Sequence, residues 1–233
     1  MAVVIPCFNE EATIEKVVTD FKRVLPDAEV LVVDNASSDN TARLARAAGA
    51  QVLCETRRGK GFAVMTGFRA AQDADYVIMV DGDNTYPAEA APKMLLAVQA
   101  GADMVVGTRL SQAKDGAFPT LHSSGNLLFI KLVRILFGLK TQDLFSGYRV
   151  VTRRFLQVSP LLARGFEIEV ELAIQALVHR FVVSEIPVEY GKRSAQSESK
   201  LKTFSDGYRI LLAIFALFRD YRPLLFFGLL SLV

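Results

Sequence analysis

The sequence predicts an α/β protein with a mostly parallel central sheet and helices on both faces. Short apolar runs typical of buried strands alternate four times with helical segments in the first 80 residues, which is the pattern of parallel strands joined by crossover helices. Polar residues follow three of these runs directly. Because ligands bind beyond the carboxyl ends of strands in such sheets, we expect the three polar segments to meet at one functional edge.

The first predicted strand is Val3–Ile5, which we expect to end at Pro6, and a helix is predicted from Asn9 to about Leu25. The remaining predicted strands are 30–33, 51–54, 76–80, 104–106 and 182–188. The remaining predicted helices are 42–48, the segment after the basic glycine loop 57–61, 87–100, 127–139 and 166–180. A polar loop is expected at 110–125.

Composition narrows the function classes. The chain has 233 residues and a net charge of +2, so its total charge indicates no surface for nucleic acid. Its two cysteines, Cys7 and Cys54, have no metal-binding spacing and are expected to be buried, reduced thiols. No Gly-x-Gly-x-x-Gly follows the first strand, which argues against a dinucleotide-binding dehydrogenase.

The segment Asp81-Gly-Asp83 follows the apolar run Tyr76–Val80 directly. Two carboxylates at the mouth of a sheet leave most of an octahedral shell free for phosphate oxygens and water, which suits Mg²⁺ or Mn²⁺ holding a diphosphate. The same short pattern also occurs in turns and helix caps. The pair is therefore a candidate metal site whose interpretation depends on the neighbouring motifs.

Several further motifs occur in a fixed order along the chain. They are Val4–Glu10, Val33–Asp39, Arg58–Gly61, Gly107–Arg109 and Ser146–Arg149. Together with Asp81–Asp83 they resemble the family 2 glycosyltransferases of the GT-A fold. Phe166–Glu171, Ile186–Val188 and Glu198–Leu201 are similar to the polyprenyl-phosphate branch, which includes dolichyl-phosphate mannose synthases. The resemblance covers about residues 2–210.

The resemblance implies an inverting transfer of a sugar from a UDP- or GDP-linked donor to a polyprenyl monophosphate. Asp81 and Asp83 would hold the metal, and Thr85 stands where the family often has Gln, so we assign it no role. Lys60 is expected to reach the donor diphosphate, or else to be a solvated loop lysine. The residues expected around the nucleobase and ribose are Pro6, Phe8, Glu10 and Asp34, with core packing as the alternative for Phe8.

The acceptor phosphate is already an anion near neutral pH, so we expect cations around it rather than an obligatory general base. The resemblance assigns this role to Arg109 and Arg149, with Asp143 orienting an arginine or contacting the sugar. Further candidates for the acceptor phosphate are His122, Arg193 and Lys200. Glu167 and Glu169 are expected either to contact the donor sugar or to cap a helix.

We expect a catalytic domain at 1–208 and, at 209–233, an interfacial helix followed by the start of a hydrophobic membrane segment. Lys131 and Arg134 lie three residues apart in an apolar helix, which is typical of a helix on anionic headgroups, although a buried core helix is the alternative. The expected location is the cytoplasmic face of a membrane, with homo-oligomerisation possible.

Two alternative functions remain at this stage. A family 2 transferase acting on a soluble saccharide or polymer would require a recognisable catalytic Asp base and would not need apolar helices. A binding module with a decayed transferase fold would bind metal and nucleotide without turnover, which the presence of Asp81, Asp83, Arg109 and Arg149 argues against.

Overall fold

The computed structural model describes residues 1–109, 120–191 and 203–231, with side chains described outside 120–126 and 203–204. In these ranges the strands are β1 (Ala2–Cys7), β2 (Glu29–Asp34), β3 (Gln51–Cys54), β4 (Tyr76–Met79), β5 (Met104–Thr108), β6 (Arg149–Thr152) and β7 (Val183–Pro187). The helices are α1 (Ile14–Val24), α2 (Thr41–Ala47), α3 (Lys60–Ala70), α4 (Ala91–Gln99), α5 (Thr120–Phe137), α6 (Arg153–Val158), α7 (Ile168–Val178), α8 (Thr203–Tyr221) and α9 (Pro223–Leu230). A 3-10 helix, Ala88–Ala90, precedes α4.

The strands form one mixed sheet in the order β3-β2-β1-β4-β6-β5-β7. The α/β class is confirmed, and all six predicted strands are present. The seventh strand, β6, was not predicted, and it pairs antiparallel with both β4 and β5. This strand has only four residues and a single apolar pair, Val150 and Val151, so it carries too short a pattern to indicate a strand.

Three predicted boundaries were wrong. Pro6 continues β1 instead of ending it, and it lies beyond Val4, where the pairing of β1 with β4 stops. Its missing N–H therefore removes no bond to β4. Helix α1 begins at Ile14, after a loop in which Asn9 has a left-handed φ of 53°. Helix α5 begins at Thr120, within the segment where we expected a polar loop.

Helices cover both faces of the sheet, as predicted. Alternation along the strands sends Val3 and Ile5 to one face, against α1 and α4, and Val4 to the other, against α3 and α7. Each face therefore has its own apolar core. A third cluster joins α5, α7 and α8 through side chains that include Val133, Ile174 and Ile214.

Helix α8 spans residue 209, where we expected the appended segment to begin, and its Ile210 and Phe218 are buried with α5 and α7. Helix α9 has no buried residue. Within the described ranges, no helix has both the length and the apolar content needed to cross a membrane. The division at 208 stays a prediction.

Asn35 ties the carboxyl end of β2 to the basic glycine loop 57–61. Its side-chain amide donates to the carbonyl oxygens of Glu55 and Arg57, at 3.2 and 2.7 Å, and its Oδ1 accepts the N–H of Gly59 at 2.7 Å. Gly59 has a φ of 139°, and a Cβ there would lie 2.1 Å from the carbonyl oxygen of Arg164. Asn35 therefore fixes the loop that leads into Lys60.

Replacing Asn35 with Ala is expected to lower the free energy of unfolding by about 1–3 kcal/mol, because it leaves a partly buried N–H and two carbonyls without their partner. Urea denaturation of the variant measures this change. Gln72→Ala, which removes an exposed amide at the end of α3, is the matched control. Equal stability of the two variants would contradict this role of Asn35.

Candidate active site

Acidic side chains from three strand ends converge at one edge of the sheet. The buried thiol of Cys7, at the end of β1, lies among them. Burial raises the pKa of this thiol, and the charges of Glu10, Asp34, Asp81 and Asp83 raise it further. A Cβ at Gly82 would lie 2.5 Å from the Cys7 sulfur, so the loop after β4 crosses directly over the end of β1. The predicted meeting of these segments is thus observed.

The two cysteines differ in exposure. Cys7 is buried, as predicted, whereas Cys54 at the end of the edge strand β3 is exposed, which corrects the expectation that both are buried. An edge strand leaves its terminal side chain without a second neighbouring strand to cover it.

The carboxylate of Asp83 is oriented by Thr85. The hydroxyl and the backbone N–H of Thr85 donate to Asp83 Oδ1, at 2.5 and 3.1 Å, and both residues are buried. No role was expected for Thr85, since a hydroxyl is a weaker metal ligand than the Gln that the family often has there. Its observed role is to orient a carboxylate.

Asp81 already has a cation beside it. Lys60 Nζ lies 2.6 Å from Asp81 Oδ1 and 2.5 Å from Glu169 Oε1. The Lys60 side chain is 11% exposed, against 26% for Asp81 and 5% for Glu169. Burial opposes the charge on Lys60, but the two carboxylates outweigh it and hold the pKa of Lys60 above its usual value. Lys60 therefore stays protonated, and it is buried between two carboxylates and not solvated in a loop; its contact with a donor diphosphate stays a prediction.

The motif Ser146–Arg149 lies behind Asp81. A Cβ on Gly147 would come within 2.1 Å of Asp81 Oδ2, so only glycine leaves room for that carboxylate. The backbone N–H of Gly147 donates to the hydroxyl of Tyr86, at 3.1 Å. Burial raises the pKa of Tyr86, the charge of Arg109 lowers it, and the charges of Asp81 and Asp143 raise it. Tyr86 links this edge to a basic one, because its ring also packs on Tyr190, with 5.1 Å between the centroids, and Tyr190 faces Arg109.

The basic edge is Arg109, which is held by Asp143. The guanidinium donates through Nε and Nη2 to the two carboxylate oxygens, at 2.7 and 2.6 Å, and the ring of Tyr190 lies 5.5 Å from the guanidinium carbon. Desolvation opposes the charge on Arg109, but the hydrogen bonds and the negative charge of Asp143 help to raise the pKa of Arg109 further above its usual range. Asp143 thus orients an arginine, which is one of the two roles expected for it.

Arg149 does not lie where an acceptor phosphate would need it. It is 1% exposed, and its Nε and Nη2 donate to the backbone carbonyls of Ser146 and Leu144, at 3.1 and 2.9 Å. Its guanidinium therefore closes the loop 144–146 from inside. This geometry corrects the assignment of Arg149 to the acceptor phosphate, because β6 points the side chain into the protein.

The residues expected around the nucleobase lie at or just beyond the carboxyl ends of β1 and β2. Pro6 is buried in β1, and Glu10 and Asp34 are buried at the strand ends. Phe8 is half-buried, and the guanidinium of Arg58 lies 4.7 Å from its ring centroid. Arg58 was not among the expected nucleobase residues, although its place beside Gly59 in the basic loop was a signal for it.

The three glutamates at the start of α7 have separate roles. Glu167 accepts the backbone N–H groups of Arg164 and Gly165, and Glu171 accepts those of Leu162 and Ala163. Both hold the chain before α7, whereas Glu169 contacts Lys60.

Three expected site residues cannot be placed. The side chain of His122, in α5, lies outside the described residues, as do Arg193 and Lys200. Their expected contacts with an acceptor phosphate stay predictions.

Comparison with known proteins identifies the family. The family model "Glycosyl transferase family 2" matches residues 2–158. Glycosyltransferase AglJ of Haloferax volcanii is 35% identical over 228 residues, which cover 98% of this chain and 75% of that protein. A dolichyl-phosphate hexose transferase of the same organism is 33% identical over 211 residues, 90% of each chain.

Among solved structures, the chain is similar to Mycobacterium tuberculosis glucosyl-3-phosphoglycerate synthase in complex with Mn²⁺, UDP and glucosyl-3-phosphoglycerate. The TM-score is 0.75 at 22% identity, over 93% of this chain and 78% of that one. At this identity the likeness shows a common fold, and it agrees with the mixed α/β sheet described above. From the family match and the two relatives, the chain belongs to glycosyl transferase family 2 and is a glycosyltransferase.

Proposed function

We propose that this enzyme transfers a hexose from a UDP- or GDP-linked donor to a polyprenyl monophosphate at a membrane surface, with inversion at the anomeric carbon. The observation that carries the proposal is the placement of two opposite charge centres around Tyr86. The first centre is Asp81 with Asp83, and Asp81 lies against Gly147, whose N–H donates to the Tyr86 hydroxyl. The second is Arg109, whose guanidinium lies against the ring of Tyr190, which packs on the ring of Tyr86. A donor diphosphate with a divalent cation fits the first centre, and a phosphate acceptor fits the second.

On the donor side, Asp81 and Asp83 would hold Mg²⁺ or Mn²⁺. The described residues contain no cluster of three or more His, Cys, Asp or Glu side chains suited to a metal ion, so the remaining ligands must come from elsewhere. The oxygens of a diphosphate meet that need. Lys60 already lies beside Asp81, so this edge of the sheet stabilises one positive charge within the chain. When bound, the ion would neutralise the departing nucleotide diphosphate.

On the acceptor side, Arg109 would bind the phosphate. Among the described residues its Nη1 has no partner, while Asp143 fixes the plane of the guanidinium through the other two nitrogens. A planar, pre-oriented guanidinium suits phosphate oxygens. Asp143 and Glu169 are each paired with a cation, which supports attack by the phosphate itself without a carboxylate base.

A lipid acceptor is further supported by the dolichyl-phosphate hexose transferase relative and by exposed apolar helix faces. On α5, Leu127, Leu128 and Ile135 are exposed together with Lys131 and Arg134, while Val133 is buried on the opposite face. Helix α9 adds exposed apolar side chains, with Leu224 at 90% exposure. Such a mixture of apolar and basic residues suits an anionic headgroup layer. The cytoplasmic face of that membrane stays a prediction.

The test is transfer of labelled sugar from a panel of UDP- and GDP-sugars to a short polyprenyl phosphate, with Mg²⁺, with Mn²⁺ and with EDTA. We expect a lipid-linked product from one donor, lost with EDTA. A product formed only on soluble acceptors, such as phosphoglycerate or a saccharide, would overturn the lipid acceptor and leave a family 2 transferase of soluble substrates.

Asp83→Ala is expected to lower turnover by at least about a hundredfold, because metal stabilisation of developing charge amounts to several kcal/mol. The same assay measures it, and circular dichroism checks that the variant is folded. Asp27→Ala, at the opposite end of β2, removes an exposed carboxylate and is the control. Near-normal turnover of Asp83→Ala would contradict the assignment of Asp83 to the metal ion.

Arg109→Ala is expected to raise the KM for the polyprenyl phosphate about tenfold or more, because a charge-assisted hydrogen bond contributes about 1.5–3 kcal/mol. The KM for the nucleotide sugar should change far less. Steady-state kinetics with each substrate varied in turn separates the two effects. An equal rise in KM for donor and acceptor would contradict the assignment of Arg109 to the acceptor phosphate.

A further inference from the structure

The ammonium of Lys60 lies against Oδ1 of Asp81, one of the two carboxylates assigned above to the metal ion. An ammonium and a divalent ion at the same carboxylate repel each other, and this one is largely shielded from water, which would otherwise screen the repulsion. We propose that Lys60 is a gate on the metal-binding carboxylate and that Glu169 is the positioning residue that sets how firmly the gate closes. This inference rests on the metal site of the proposed function.

The surroundings leave Lys60 few alternatives. Its backbone follows Gly59, which lies against the carbonyl of Arg164, and Asn35 holds the loop in place. The ammonium therefore has two anionic partners in the structure, Asp81 and Glu169, and the diphosphate of a bound donor would be a third. When the diphosphate offers a new partner, Lys60 gives up Asp81, and the metal takes it. The metal ion and the nucleotide sugar are consequently expected to bind cooperatively, each raising the affinity for the other.

The proposal makes two predictions of opposite sign for the binding of Mn²⁺ alone. In Lys60→Met the gate is absent, so Mn²⁺ is expected to bind the free protein about fivefold tighter or more, within the range typical of coupled sites. In Glu169→Gln the ammonium keeps Asp81 as its sole carboxylate, so Mn²⁺ is expected to bind more weakly than to wild type. A purely structural role for the pair would weaken binding in both variants.

The experiment is titration of the full chain with Mn²⁺, followed by electron paramagnetic resonance of the free ion, with no nucleotide and no acceptor. Lys93→Met, which removes an exposed lysine from α4, controls for the loss of one positive charge. Circular dichroism confirms that each variant is folded. Binding by Lys60→Met no tighter than by Lys93→Met would overturn the gate, as would tighter binding by Glu169→Gln.

The double variant Lys60→Met with Asp83→Ala separates this inference from the proposed function. It is expected to lose the Mn²⁺ affinity that Lys60→Met gains. Retained affinity would place the ion elsewhere and overturn the metal assignment together with the gate. Because the titration uses neither donor nor acceptor, a failure of the lipid acceptor in the transfer assay would leave the result unaffected.

Discussion

The structure of the site depends on the crowding of carboxylates at one edge of the sheet. Parallel strands β1, β2 and β4 end side by side, and their ends carry Glu10, Asp34, Asp81 and Asp83 around a single buried thiol. Such a set of like charges is unfavourable unless cations lie among them. Lys60 supplies one cation within the chain, and we propose that the metal ion supplies the other.

Much of the surrounding architecture holds these charges in place. Thr85 orients Asp83, Gly147 makes room for Asp81, and Asn35 fixes the loop that carries Lys60. On the opposite side, Asp143 holds Arg109 in the same manner. The common principle is that each charged group is oriented by a neighbour before substrate arrives, which reduces the reorganisation needed during the reaction.

The part of the site that could be predicted is the part that follows from strand order. Asp81 and Asp83 were predictable because they follow a recognisable strand, and Lys60 because it lies between the two glycines of the basic loop 57–61. The burial of Arg149 was not, since it depends on β6, a four-residue strand that pairs antiparallel with both of its neighbours, β4 and β5. The role of Asn35 was also missed, because its three hydrogen bonds join segments about twenty residues apart.

The central claim is that the Asp81 carboxylate passes from Lys60 to a metal ion when a nucleotide diphosphate binds. A crystal structure of the full chain with Mn²⁺ and UDP, with anomalous scattering from the manganese, tests it directly. The account predicts a manganese peak shared by Asp81 and Asp83, with Lys60 Nζ moved from Asp81 to a phosphate oxygen. A manganese peak away from these carboxylates, or Lys60 still paired with Asp81 beside the bound ion, would contradict it.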